Sequence, residues 1–149
     1  MNWTQLLANR TVRSHTTSID EIGNLRELVN RDLKDAEIEG LSDDRRFATA
    51  YNAVLQLSKM AIACEGFRVA VGAGHHQKTF EAVKTALGNA SAEMFADYFE
   101  TCRRKRNNID YDAAEVVTET EAKELLEKAR EFQTLVEDWI SKDHSGFAV

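Results

Sequence analysis

Apolar residues recur along this chain at alternating steps of three and four, the spacing that lines up one face of a helix. The pattern is plainest from Phe47 through Ala50, Val54, Leu57 and Ala61 to Cys64, where Tyr51, Leu55 and Ile62 widen the apolar surface. Only a stripe of Arg45, Thr49, Asn52, Gln56 and Lys59 stays polar, which predicts a central, deeply buried helix. Ser42-Asp43-Asp44 supplies its cap and two acids that offset the dipole. Upstream, Ile22, Leu25, Val29, Leu33 and Ala36 mark a helix that opens on a capping box, Ser18-Ile19-Asp20-Glu21, and ends near Gly40.

Gly66, Gly72 and Gly74 interrupt the periodicity, and Phe67-Arg68-Val69-Ala70-Val71 between them is an extended run too short to make a sheet alone. A shorter helix is predicted from about Gln77 to Leu87, with Gly88 as its stop. Ser91-Ala92-Glu93-Met94 opens a fourth, with Phe95, Tyr98, Phe99 and Cys102 inward. A second capping box, Thr118-Glu119-Thr120-Glu121, starts a long final helix carrying Leu125, Ala129, Phe132, Val136 and Trp139 on one face. Proline is absent throughout, which suits helices better than the turns of a β-rich chain. The expected fold is all-α, an up-down bundle of about five helices in one domain over 1–149, with 1–15 a possible N-terminal arm and 142–149 a flexible tail.

Charge changes the picture in one place. The chain carries a net charge of −6, which argues against tight nonspecific binding to bulk nucleic acid. Yet Arg103-Arg104-Lys105-Arg106 run together and lead into Asn107-Asn108-Ile109-Asp110-Tyr111-Asp112. A block of long cations gives little folding energy, so something anionic is expected to face it. The structural reading is that these cations favour a helix C-terminus and pair with Asp110 and Asp112. Cys64 and Cys102 lie in apolar patterns and read as reduced core residues of a cytoplasmic protein. No apolar stretch is long enough for a membrane span. His75-His76 are adjacent and point in different directions, and no third ligand has recognisable spacing, so neither a metal nor any other cofactor is expected. Gly72-Ala73-Gly74 lacks the strand, third glycine and acidic residue of a dinucleotide fingerprint.

Four segments together resemble the HEPN family: Phe47-Ala48-Thr49-Ala50-Tyr51-Asn52-Ala53, Gly66-Phe67-Arg68, Gly74-His75-His76, and Arg103 to Tyr111 before the last helix. The resemblance covers about residues 18 to 141. It implies a helical bundle that commonly dimerises and places two Arg-x4-6-His motifs across a shared cleft. Active relatives cut RNA without a metal, often as toxins or defence effectors, while inactive ones bind RNA, nucleotides or protein partners. Carried over, Arg106 takes the place of the arginine, Asn107 that of the polar follower, and Tyr111 that of the histidine. A phenol with an ordinary pKa of about 10 is a poor general base at neutral pH. Asp110 is the one nearby carboxylate suited to accept a proton, and His76 is an alternative if it reaches the Arg106 cleft.

The catalytic candidates are therefore Arg106, Asn107, Asp110 and Tyr111, and the RNA- or nucleotide-binding candidates Arg103, Arg104, Lys105 and His76. The expectation is a homodimer that binds RNA or a nucleotide at this motif, in a toxin–antitoxin or defence setting, with binding favoured over cleavage. Two alternatives stand beside it: an interaction module partnering a nucleotidyltransferase-like protein, and an active metal-independent endoribonuclease.

Overall fold

The structure, a computed structural model, describes residues 1–109 and 115–149. Its helices are α1 (Trp3–Ala8), α2 (Ile19–Asp35), α3 (Asp43–Cys64), α4 (His75–Leu87), α5 (Ala90–Asn108) and α6 (Glu119–Asp143). Two short strands, β1 (Val12–Ser14) and β2 (Phe67–Val69), complete the described elements. The molecule is an all-α bundle with one small antiparallel ladder attached. No helix among the described residues is long and apolar enough to cross a membrane.

Helix α3 is the axis of the bundle. It packs most broadly against α2 and α6, and also against α4 and α5. Its cap is Ser42, whose side chain accepts from the Arg45 N–H, with Asp43 and Asp44 in the first turn. Asp44 also reaches across the bundle, accepting from the backbone N–H of Val117 at 2.9 Å and of Val116 at 3.3 Å. That pins the entry to α6. The α6 capping box forms as the sequence predicts, with Thr118 and Glu121 each satisfying the other's backbone N–H.

The Ser18 box forms only by half. Ser18 accepts from the Glu21 N–H, but the Glu21 carboxylate turns to His15 Nε2 and Thr17 Oγ1, both at 2.7 Å. A charged hydrogen bond to histidine competes well with a neutral backbone N–H. The extended run after Gly66 also finds a partner that the sequence hid. β2 pairs with β1 from the N-terminal arm, Val12 opposite Val69 and Arg13 opposite Arg68. Trp3 of α1 stacks on Phe67 at 4.2 Å and holds the arm down.

Residues 142–149, expected as a loose tail, are tethered at several points. A 3-10 turn at Ser145–Phe147 follows α6. Arg26 of α2 grips Glu137 with two hydrogen bonds of 2.6 and 2.9 Å and donates a third, of 2.9 Å, to the Phe147 carbonyl. His144 Nε2 lies 2.8 Å from Glu65. At the other end of α2, Arg46 donates to the Ala36 and Ile38 carbonyls, satisfying acceptors that a helix end leaves open.

The core between α4, α5 and α6 is aromatic. Phe132 meets Phe99 at 5.0 Å and Phe95 at 5.5 Å, and Phe99 meets Phe80 at 6.0 Å. Phe132 and Phe99 are fully buried. Phe132→Ala is expected to cost about 3–5 kcal/mol in urea unfolding with the slope unchanged, because a large cavity opens at a ring contact shared by two helices.

Candidate functional site

The basic block is not a separate loop but the last turn and a half of α5, and the helix sends its cations in different directions. Arg103 and Arg106 are three apart and share a face, as do Arg103 and Asn107 at four apart. Lys105 lies elsewhere, paired with Glu121 of α6 beside a small cavity of about 180 Å³ whose lining includes Phe47 and Tyr98. Arg103 donates to Glu100 Oε1 from Nε at 2.9 Å and from Nη2 at 2.7 Å. Two of the four cations are thus answered from within the chain. Among the described residues Arg104 and Arg106 form no ion pair; Arg104 is exposed and Arg106 half-buried. Asn107 is exposed. Asp110 and Tyr111, and the pairing proposed for Asp112, lie outside the described residues.

The Arg103–Arg106 face looks toward the start of α4. There His76 Nδ1 lies 3.2 Å from the hydroxyl of Tyr51, a fully buried residue of α3. Burial pushes the Tyr51 phenol well above its ordinary pKa; Arg103 and Arg106 act against the shift, and Glu100 adds to it. The phenol therefore keeps its proton, and a buried hydroxyl proton needs an acceptor. His76 Nδ1 is the acceptor in reach. An imidazole that accepts at Nδ1 carries its own proton at Nε2, and among the described residues that N–H has no acceptor.

Burial first, and then the charges of His75, Lys59, Arg106 and Arg103, hold the His76 pKa below its ordinary value of 6.5. Near neutral pH the ring is uncharged among cations. Glu100 Oε2 is buried and meets no donor among the described residues. The site is thus assembled by three helices: Arg103, Arg106 and Glu100 from α5, His76 from α4, and Tyr51 and Lys59 from α3.

Of the sequence candidates, Arg103, Arg106 and His76 come together, whereas Lys105 does not join them. His75, adjacent to His76, turns its Nδ1 toward the Ala70 carbonyl at 3.3 Å. No cluster among the described residues suits a metal ion. Burial pushes both Cys64 and Cys102 up to about 11, so neither is a reactive thiolate at neutral pH. Tyr51, Lys59 and Glu100 were missed as site residues. Tyr51 read as core from its apolar neighbours, although a buried tyrosine in a helix always needs a partner for its hydroxyl.

A comparison with protein-family models, one with curated proteins and one with solved structures each found no match. The fold defines the class, an all-α helical bundle.

The His76 shift has a sign. Its folded pKa lies below the unfolded value, so its contribution to stability is complete above about pH 6.5 and is lost as pH falls through the folded pKa. Thermal melts should show wild type losing stability below pH 6.5 more steeply than His76→Gln. Parallel pH profiles for the two would contradict this assignment.

Proposed function

We propose that the chain binds a phosphate-bearing ligand, RNA or a nucleotide, at the face formed by Arg103, Arg106 and His76. The observation that carries this reading is the proximity of two arginines to a neutral histidine, whose ring feels both of their charges. One of those arginines, Arg106, is half-exposed and has no carboxylate partner among the described residues. Phosphate oxygens accept from such donors, and arginine offers several in a planar fork. Arg103, held by Glu100, presents a fixed guanidinium rather than a swinging one. The fold and the arrangement are compatible with a HEPN-like protein, and the toxin–antitoxin or defence setting remains part of that proposal.

Binding is favoured over cleavage. A histidine that accepts the Tyr51 proton at Nδ1 has no lone pair left at Nε2 with which to take a proton from a ribose hydroxyl. Cleavage would require the tautomer to switch, leaving the buried Tyr51 proton without its partner. An anion at the site instead favours a charged ring, at the cost of turning Tyr51 from donor to acceptor when the second proton goes to Nδ1, so binding should tighten as pH falls below 6.5.

Arg106→Ala is expected to weaken binding of a short single-stranded RNA on the order of tenfold and to lower the salt slope by about 1. Lys105→Ala, on the other side of α5, should leave affinity within about twofold, as surface changes usually do. Fluorescence anisotropy across a salt series checks both. Unchanged affinity in Arg106→Ala would remove the proposal. If Arg104→Ala shifts the protein toward monomer while RNA affinity holds, the interaction-module reading takes its place.

A further inference from the structure

Lys59 also lines a separate hollow. A cavity of about 650 Å³ opens between α2, α3 and β2, floored by Leu25, Ile62, Phe67 and Val69. That volume is in the range of pockets that take small organic molecules. Two cations stand at its rim, Lys59 from α3 and Arg68 from β2. Among the described residues neither forms an ion pair or a hydrogen bond with its charged group. The single carboxylate in the lining, Glu21, hydrogen-bonds His15 and Thr17, and Arg68 acts on it only through its charge, without an ion pair.

The register of the ladder sharpens the point. Arg68 lies directly opposite Arg13, and both are exposed. Like charges facing each other across two strands oppose the pairing. Val71, which also lines the cavity, is 81% exposed and offers an apolar lip with nothing packed over it. In a chain of net charge −6, an apolar hollow rimmed by two cations that form no ion pair among the described residues is complementary to one kind of occupant.

We propose that this cavity binds a small amphipathic organic anion, an apolar aryl or alkyl body in the hollow with its single anionic head between Lys59 and Arg68. The hollow itself is lined by none of Arg103, Arg106 or His76, and shares only Lys59 with that face. The body is selected by the carbon-lined floor, and the head by the two cations and by His75, which also lines the cavity.

The probe is anilinonaphthalene sulfonate, whose fluorescence rises when it leaves water, titrated into the folded protein and competed with octanoate or octanol. The expected result is one saturable site from which octanoate displaces the dye and octanol, the same chain without charge, does so much less. Arg68→Glu should weaken dye binding about tenfold, the loss of a charged hydrogen bond. Leu25→Trp should fill the hollow and abolish it. Near-ultraviolet circular dichroism establishes that each variant is folded. Both variants should keep wild-type RNA affinity, and Arg106→Ala should keep wild-type dye affinity, so failure here is distinguishable from failure at the other face. Equal competition by octanol and octanoate would overturn the proposal. So would dye binding indifferent to Arg68→Glu, or a wild-type dimer whose formation excludes the dye.

Discussion

The burial of α3 on nearly all sides is the constraint from which the rest follows. Fourteen of its 22 residues are buried, and helices from both halves of the chain lie against it. A helix enclosed in this way has few positions where polar groups reach water, and each of those becomes conspicuous. The stripe from Arg45 to Lys59 is that remainder. At one end Asp44 ties the entry of α6; near the other, Lys59 lines the cavity beside β2 and its charge acts on His76.

The same burial sets the chemistry of Tyr51. A phenol in this position cannot shed its proton and cannot leave it unpaired, so the nearest acceptor is drafted, and that acceptor is His76. The consequence travels outward. A histidine held by a buried hydroxyl at Nδ1 keeps its other nitrogen for a ligand, within the field of Arg103 and Arg106. Packing in the core thereby decides what the surface offers, which is why the proposed site favours holding a phosphate over moving a proton.

Much of this was legible in the sequence, and for identifiable reasons. α3 announced itself through a long run of threes and fours, and α6 through a capping box that forms as written. Other features depended on partners distant in sequence. The β2 run looked stranded because its mate, Val12–Ser14, lies more than fifty residues away and has no strand pattern of its own. Glu21 satisfied the capping-box spacing, yet His15 offered it a stronger bond. The basic block was visible as four adjacent cations, but adjacency concealed its division. Helical geometry turns Lys105 toward Glu121, leaves Arg103 with Glu100, and sets Arg106 near His76. Tyr51 was the hardest to see, since a tyrosine in an apolar helix carries no local sign of which group its hydroxyl meets.

The central claim is that His76, held by Tyr51 among the arginines of α5, forms part of an anion site. The most direct measurement is a nitrogen NMR titration of the His76 ring, with and without a saturating short single-stranded RNA. The account predicts a neutral ring protonated at Nε2 near pH 7, titrating below 6.5 in the free protein, with the midpoint moving upward once RNA is bound. A ring protonated at Nδ1 in the free protein, or a midpoint that RNA leaves in place, would contradict it.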